Sequence, residues 1–192
     1  MLPKNLGGYH PDPNIRSTYK IDWPCGSIFE NEGIKLYELV RTHKPELIVE
    51  IGGHFGCSTS YLAYGVKDNK KGKVISIDIN ASSHKLLPKE LSEYVEIIHK
   101  DATNFEPPKD IDMLFEDGAH TYGFTENILK RYKSKIVICH DYFHRGCKNT
   151  VKAEWDAVIG KPDETYFEAP SDCGLAIKYF PVIREKKKCK SC

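Results

Sequence analysis

Short apolar runs alternate with longer amphipathic stretches along most of the chain. The apolar runs predict five buried strands, over residues 47–49, 74–78, 95–98, 111–115 and 136–139. Between and around them, apolar residues at helical spacing predict helices over 28–40, from 58 onward, over 82–94 with a break at Pro88, and over 121–132 and 151–159. Two further strands are predicted over 165–168 and 175–180. Strands that alternate with helices predict an α/β fold, a mostly parallel sheet covered on both faces.

The 192 residues are enough for one domain with a sizeable core. Residues 1–26 are rich in Pro, Gly, Asn and aromatic residues without a period, which predicts an irregular arm. Residues 27–183 are predicted to form the domain, and residues 184–192 a basic flexible tail. No repeat and no linker indicates a second domain.

A glycine-rich turn follows the first strand. Glu50, Gly52, Gly53 and Gly56 form the pattern E-x-G-x-x-x-G, and Ser58 with Thr59 is expected to cap the next helix. A strand, a glycine turn and a helix start let backbone N–H groups approach a ligand. The spacing matches neither the G-x-G-x-x-G dinucleotide fingerprint nor a P-loop. Such glycines also occur where only the backbone of a turn needs them.

Charged residues gather where the predicted strands end. They are Glu50, Asp78, Asp101, the pair Glu116 and Asp117, and the pair His140 and Asp141. Ligands bind outside the carboxyl ends of the strands in open parallel sheets. One acid at a strand end is commonplace, but a set at five successive strands indicates one cleft.

The second and third of these strand ends suit a nucleoside. A carboxylate at Asp78 can accept both hydroxyls of a ribose, as in other nucleotide-binding α/β folds. Asp101, with Ala102, is expected beside an adenine. The amino group of the adenine can donate a hydrogen bond to the Asp101 carboxylate. The alternative for both acids is a strand end that simply faces solvent.

Charge and composition limit which kinds of partner and which cellular location we expect. The net charge of +1 gives no electrostatic reason to expect nucleic acid. No apolar run approaches the roughly 20 residues of a membrane span, and the first residues lack the apolar segment of a secretory signal. The seven cysteines include one C-x-x-C unit, Cys189 and Cys192, and form no zinc framework. We therefore expect reduced thiols and a cytoplasmic location, and leave a homo-oligomer open.

The motifs VEIGGHFGCSTSYLA, VISIDI, KDA, FEDGAHTY and CHDY, in this order, resemble the class I S-adenosylmethionine-dependent methyltransferases. More narrowly, they resemble the small-molecule O-methyltransferase group that includes macrocin-type sugar methyltransferases and cephalosporin-hydroxylase-like proteins. The resemblance covers residues 27–180. It implies a Rossmann-like doubly wound sheet of seven strands, mostly parallel with the last strand antiparallel.

The same resemblance implies the cofactor S-adenosylmethionine. Its methionine end is expected over residues 50–56, its ribose on Asp78 and its adenine near Asp101. The cofactor-binding residues implied in this way are Glu50, Gly52, Gly53, Gly56, Ser58, Asp78, Ile79, Asp101, Ala102 and Asp117. Replacing Gly52 or Gly56 by valine is expected to abolish cofactor binding while the fold is largely kept.

In the metal-dependent members of the group, a divalent ion is held by an acid after strand four and an adjacent pair of acids after strand five. Asp117 and Asp141 match two of these positions, and His140 stands at the third. Since Mg²⁺ prefers oxygen ligands and imidazole favours softer ions, the resemblance leaves open whether Mg²⁺, Mn²⁺ or no metal binds. Without a metal, His140 or His120 is the candidate general base, so the candidate catalytic residues are His140, Asp117 and His120.

The resemblance implies methyl transfer to a hydroxyl group of a small molecule of the sugar or natural-product type. The alternative is a module that binds S-adenosylmethionine or S-adenosylhomocysteine without turnover. Another alternative is a nucleotide-sugar or nicotinamide ligand, and the missing G-x-G-x-x-G fingerprint argues against the nicotinamide. A third alternative is a nucleic-acid or protein methyltransferase; against it, the sequence has no N-P-P-Y-like motif and no basic stripe beyond residues 186–188.

Overall fold

The computed structural model describes residues 28–169 and 171–181. The arm predicted over 1–26 and the tail predicted over 184–192 lie outside the described residues, as do Cys25, Cys189 and Cys192. The domain boundaries therefore stay predictions.

Seven strands form one sheet in the order β3-β2-β1-β4-β5-β7-β6. They are β1 (Leu47–Ile51), β2 (Lys73–Asp78), β3 (Val95–His99), β4 (Ile111–Glu116), β5 (Ser134–Cys139), β6 (Glu164–Tyr166) and β7 (Leu175–Tyr179). The first five pair in parallel, whereas β7 pairs antiparallel with both β5 and β6. The predicted sheet, mostly parallel with a reversed last strand, is confirmed.

Helices cover both faces of the sheet. They are α1 (Glu30–His43), α2 (Cys57–Asn69), α3 (Phe124–Arg131) and α4 (Ala153–Val158). Successive residues of a strand point to opposite faces, so Ile48 packs in the core beneath α1 and α2. Its neighbour Val49 packs in the second core, beneath α3 and α4. This explains why the central strands read as unbroken apolar runs.

The predicted helix over 82–94 is wrong in its first half. Residues 81–86 form turns, and only Lys89–Tyr94 is helical, as a 3₁₀ helix. Pro88 cannot donate to a helix and disfavours helical geometry in the residue before it. The His84 N–H instead donates to the carbonyl of His54, 2.6 Å away, which ties this segment to the glycine turn.

Two smaller predictions also change. The cap of α2 is Gly56, with a left-handed φ of 92°, whereas Ser58 and Thr59 lie inside the first turn. The predicted helix over 151–159 is divided into a π-helical turn, Lys148–Lys152, and the short α4.

The loops at the carboxyl edge of the sheet are joined by backbone hydrogen bonds. Gly52 N donates to Ile77 O (2.9 Å), Asp117 N to Ile51 O (3.0 Å), and His140 N to Glu116 O (3.0 Å). The first residues after β1, β4 and β5 are thereby each tied to the neighbouring strand, at the edge where the sequence places its charged residues.

Four cysteines lie within the described residues, and none of the four forms a disulfide. Across residues 28–169 and 171–181, no helix combines the length and the apolar character needed to cross a bilayer.

Candidate active site

One cavity of about 1450 Å³ lies over the carboxyl edge of the sheet. One end is bounded by the loops after β1, β2 and β3, with Gly52, Asp78 and Asp101 in its wall. The other end is bounded by the loops after β4 and β5 and by the residues that begin α1. Pockets for one drug-sized ligand usually measure about 300–1,000 Å³, so this cavity has room for a cofactor and a second molecule.

The glycine turn is shaped by close contacts within the protein. Gly52 has a φ of 90°, and a Cβ atom there would lie 2.0 Å from the carbonyl oxygen of Asp117. A Cβ at Gly53 would lie 2.1 Å from the His84 ring. The expectation that Gly52→Val would largely keep the fold is therefore wrong. The backbone of Asp117 already fills the space that the new side chain would need.

Glu50 is fully buried beneath this turn. Ser58 Oγ donates to its Oε1 at 2.6 Å, Thr59 Oγ1 donates to Oε2 at 2.5 Å, and Ser76 also donates to Oε2. Burial raises the pKa of Glu50, while the three hydroxyl donors oppose that rise. Glu50 does not line the cavity, so the structure gives it a supporting position under the turn and no direct access to a ligand.

Asp78 and Asp101 each stabilise a loop at the cofactor end. Asp78 accepts from the backbone N–H groups of His54 (2.8 Å) and Asn80 (2.7 Å), one on each carboxylate oxygen. Asp101 accepts from the backbone and the hydroxyl of Thr103, and these bonds lower its pKa against the smaller effect of burial. A carboxylate oxygen accepts more than one hydrogen bond, so both groups can still accept from a ligand.

The predicted cofactor residues thus divide into two groups. Those that line the cavity are Gly52, Asp78, Ile79, Asp101, Ala102 and Asp117. Those that the structure places outside its wall are Glu50, Gly53, Gly56 and Ser58. In the second group, Gly53 and Gly56 belong to the glycine turn, and Ser58 donates to Glu50, which is buried beneath that turn. These residues support the cavity wall without lining it.

At the other end of the cavity, two histidines and two aspartates meet. His140 Nδ1 lies 3.1 Å from Asp117 Oδ1 and 3.2 Å from Asp141 Oδ2. His120 Nε2 lies 2.8 Å from Asp141 Oδ2 and 4.0 Å from Asp117 Oδ1. The predicted catalytic residues His140, Asp117 and His120 therefore lie together, and the predicted metal ligand Asp141 lies among them. Asp141 has a φ of 58°, a strained conformation for a non-glycine residue that is typical of functional sites.

Glu32 also belongs to this cluster, although no sequence pattern indicated it. Its Oε2 lies 3.0 Å from His140 Nε2, and its side chain is 0% exposed. Its Oε1 accepts from Ser171 Oγ (2.5 Å) and from the Gly174 N–H (2.9 Å). Glu32 is the third residue of α1 and also accepts from the Phe29 N–H, so in the sequence it resembles an ordinary helix cap.

The carboxylates govern protonation in this cluster. Burial lowers the pKa of His140, but the charge of Asp117 and the hydrogen bonds to Asp117, Asp141 and Glu32 together hold it well above its usual range. The hydrogen bond to Asp141 raises the pKa of His120. Burial alone would raise the pKa of Asp141, but hydrogen bonds from His120 and His140 hold it below its usual range. With both ring nitrogens facing carboxylates, His140 is poorly suited to act as a base near neutral pH.

The cluster offers metal-binding atoms beyond the predicted set. Two groups of three donor atoms lie within 4.8 Å of one another: His120, Asp141 and Cys147, and His140, Asp141 and Cys173. Both groups contain Asp141. Nitrogen and sulfur donors around a carboxylate suit a transition ion better than Mg²⁺.

Residues 49–142 match the family model of a methyltransferase domain. This segment runs from β1 through the start of the loop after β5, and it contains the glycine turn, Asp78, Asp101 and the two aspartates of the cluster. No curated protein matches the sequence.

Solved methyltransferases share the fold. A methyltransferase from Podospora anserina, PaMTH1, solved with S-adenosylhomocysteine, has a TM-score of 0.64 at 19% identity over 83% of each chain. The O-methyltransferase TomG from Streptomyces achromogenes, involved in tomaymycin synthesis and solved with S-adenosylmethionine, has a TM-score of 0.60 at 19% identity over 83% of this chain and 84% of its own. An O-methyltransferase from Bacillus cereus, solved with S-adenosylhomocysteine, has a TM-score of 0.61 at 18% identity over 81% and 84%.

Residues 49–142, just under half of the chain, are similar to a methyltransferase domain. The resemblance drawn from its motifs is confirmed by the family match, and the predicted fold by the solved structures. In this methyltransferase domain, the cavity over the carboxyl edge is the candidate active site.

Proposed function

We propose that this methyltransferase domain transfers the methyl group of S-adenosylmethionine to a hydroxyl group of a small molecule. The observation that carries the proposal is the single cavity that joins two different ends. Gly52, Asp78 and Asp101 line one end, and the cluster of His120, His140, Asp117 and Asp141 lines the other. A methyl donor at the first end would present its reactive carbon toward the acid–histidine cluster.

The cofactor end has groups suited to a nucleoside. Asp78 would accept the ribose hydroxyls, and Asp101 with Ala102 would lie beside the adenine. Ile79, whose side chain is 76% exposed beside the cavity, would pack against the base. Apolar contact with a base and charge-assisted hydrogen bonds to a ribose are together enough for specific binding.

The acceptor end would orient the hydroxyl group that receives the methyl group. The sulfonium of the cofactor is already a good leaving group, so the protein supplies positioning and a means to remove the hydroxyl proton. Asp117, His140 and Asp141, as predicted, with His120, would hold a divalent ion; such an ion lowers the pKa of a bound hydroxyl. If no ion binds, His120, whose side chain is 39% exposed, is the better placed base of the two histidines.

The expected acceptor is a small hydroxylated molecule, of the sugar or natural-product type that the sequence resemblance implies. Of the compared structures, TomG is named for the synthesis of a natural product, and the Bacillus cereus protein is an O-methyltransferase. A nucleic-acid acceptor has less support, because the net charge is only +1.

Two measurements test this proposal. Calorimetry with S-adenosylhomocysteine should show one binding site, and a labelled methyl donor should transfer label to some members of a panel of sugars, phenols and other hydroxylated compounds. Absence of cofactor binding would reject the proposal. Binding without transfer to any hydroxylated, amino or thiol compound would favour the non-catalytic module instead.

A further inference from the structure

The loop after β3 turns its carbonyl groups toward the end of α3. Arg131, the last residue of α3, donates from Nη1 to the carbonyl oxygens of Ala102 (3.0 Å) and Thr103. Its Nη2 donates to the carbonyl oxygen of Phe105 at 2.8 Å. The buried Tyr132 donates its hydroxyl proton to the same Ala102 oxygen, also at 2.8 Å. One guanidinium and one hydroxyl thus hold three carbonyl groups of a single short loop.

An arginine suits this role because of its shape. The planar guanidinium carries five N–H donors in a fixed fork, whereas a lysine offers one nitrogen atom and reaches fewer separate carbonyls at once. A carbonyl left without a partner in a protein interior costs free energy, so the three carbonyls and the fork favour one conformation of residues 102–105.

The same conformation directs the Ala102 N–H away from the loop. The carbonyl oxygen of Asp101 accepts from the N–H groups of Asn104 (3.1 Å) and Phe105 (3.0 Å) inside the loop. In a trans peptide the N–H points opposite to the carbonyl, so the Ala102 N–H points outward. It has no acceptor within residues 28–169 and 171–181, although Ala102 is only 6% exposed and lines the cavity. Buried backbone donors are rarely left unpaired, so this donor indicates a ligand atom as its partner.

The loop also fixes an acceptor beside this donor. The Asp101 carboxylate accepts from the backbone and hydroxyl of Thr103 and from the side chain of Asn104 (3.0 Å). These hydrogen bonds, with a smaller effect of the Arg131 charge, lower the pKa of Asp101 against the effect of burial. An ionised acceptor next to a donor matches the edge of adenine, whose amino group donates and whose N1 accepts. It opposes hypoxanthine, whose O6 accepts and whose N1–H donates.

We infer that Arg131 is a positioning residue for the cofactor, because by holding the loop it aims the Ala102 N–H at N1 of the adenine, next to the Asp101 carboxylate. Arg131 does not line the cavity, so it acts through the loop. Its consequence is selection of adenine over hypoxanthine. The inference rests on the proposed function, since the ligand that it concerns is S-adenosylmethionine or its product.

The test compares the affinities of the purified chain for S-adenosylhomocysteine and S-inosylhomocysteine by calorimetry. The two compounds differ only at the base edge, where the inosyl compound has an oxygen on C6 and a proton on N1. The wild type should bind the adenosyl compound at least about 100-fold more tightly, since two groups of the site would face the wrong partner in the inosyl complex. Arg131→Met, which keeps an unbranched side chain, should lower this ratio by about tenfold, and by no less than about threefold.

The ratio separates positioning from stability. A partly unfolded variant loses apparent affinity for both ligands by the same factor, so its ratio does not change. Arg41→Met is the matched control, because Arg41 pairs with Asp68 (3.2 Å) outside the cavity wall, and its ratio should equal that of the wild type. If Arg131→Met does not fold, Arg131→Lys, which keeps the charge but loses the fork, should still lower the ratio by at least about threefold.

The amide proton of Ala102 gives a direct second measurement. Its NMR resonance should move downfield when S-adenosylhomocysteine binds, as a new hydrogen bond forms, and should move much less with S-inosylhomocysteine. The inference is overturned by a smaller wild-type ratio, by Arg131 variants whose ratio stays within threefold of the wild type, or by an Ala102 resonance that both ligands move equally. In each of these cases S-adenosylhomocysteine binding leaves the methyltransferase proposal standing. A wild type that binds no S-adenosylhomocysteine would reject the proposed function, and this inference with it.

Discussion

Gly52 lies where the backbones of two loops touch. Its φ of 90° disfavours any side chain, and an added methyl carbon would lie 2.0 Å from the carbonyl oxygen of Asp117, which belongs to the acid–histidine cluster. The contact is with backbone, which cannot rotate away. The position of Gly52 therefore couples the turn at the cofactor end to the acid at the acceptor end.

We expect Gly52→Ala to lower the free energy of unfolding by more than about 2 kcal/mol and to weaken S-adenosylhomocysteine binding. Gly160→Ala is the matched control. Gly160 has a similar φ of 80° but nothing within 4 Å of the added atom, so this variant should cost only the backbone strain, about 1 kcal/mol. Urea unfolding of both variants measures the difference. Equal losses would show that the contact with Asp117 yields without cost.

His84 is a second residue whose environment determines its behaviour, because it is buried and neutral. Its Nε2 lies 2.7 Å from Ser76 Oγ, and Ser76 in turn donates to Glu50. His84 Nε2 must therefore carry the proton and donate it to Ser76. Burial, with a smaller effect of His99, lowers its pKa from 6.5 to about 4, against the opposing charge of Asp78.

This shift predicts a pH dependence of stability. Between pH 6.5 and about 4 the unfolded chain binds a proton at His84 that the folded protein does not, so the free energy of unfolding should fall as the pH falls through this window. The full effect is about 3 kcal/mol, and above pH 6.5 it vanishes. His84→Asn, which tolerates the left-handed φ of 62°, should flatten this part of the curve. Parallel curves for both proteins would show that His84 protonates without cost.

At the scale of elements, α3 connects the two ends of the cavity. Its C-terminal residue Arg131 donates to the carbonyls of Ala102 (3.0 Å) and Phe105 (2.8 Å), in the loop expected beside the adenine. Its first turn is held from α4, because Glu154 accepts from the N–H groups of Gly123 (2.5 Å) and Glu126 (2.9 Å). The start of an eight-residue helix thus takes its cap from another helix.

We expect Glu154→Ala to lower the free energy of unfolding by about 1–3 kcal/mol, because two N–H groups at the start of α3 lose a charged acceptor. Glu126→Ala is a suitable control. Its carboxylate makes only a surface ion pair with Lys130, which is worth at most about 0.5 kcal/mol. Chemical unfolding of the two variants gives the comparison, and a loss for Glu154→Ala no larger than that for Glu126→Ala would mean that water replaces the cap.

At the scale of the whole molecule, the cavity wall draws on α1 and on the loops after β1, β2, β3, β4 and β5. A ligand that binds there contacts segments far apart in sequence, so it should stabilise the folded state as a unit. A ligand at one hundred times its dissociation constant stabilises the folded state by about 2.7 kcal/mol.

We therefore expect S-adenosylhomocysteine to raise the melting temperature by several degrees. Asp78→Ala should remove most of this rise, because losing hydrogen bonds to a charged group costs about 1–3 kcal/mol of binding free energy. Asp78→Asn, which keeps an acceptor oxygen, should show an intermediate rise. Differential scanning calorimetry at several ligand concentrations measures the effect. A rise of the same size in Asp78→Ala would place the ligand elsewhere in the cavity.

The sequence by itself determined the succession of strands and helices along the chain and the charged residues at the strand ends. Apolar runs, the glycine turn and the acids after β2, β3, β4 and β5 are local patterns, since a buried strand and a turn each impose their own residue types. These patterns were sufficient for a mostly parallel α/β sheet and for several residues that line the cavity, whereas the reversed last strand came from the resemblance to a known family.

Only the tertiary structure decided which of these residues reach a ligand. Side-chain alternation along β1 directs Glu50 into the core toward Ser76, while the loop after β4 brings Asp117 to the cavity. Glu32 lies 108 residues before His140, so no local sequence pattern predicts their contact. The cluster of His120, His140, Asp117 and Asp141 likewise depends on how the loops after the neighbouring strands β4 and β5 meet in space.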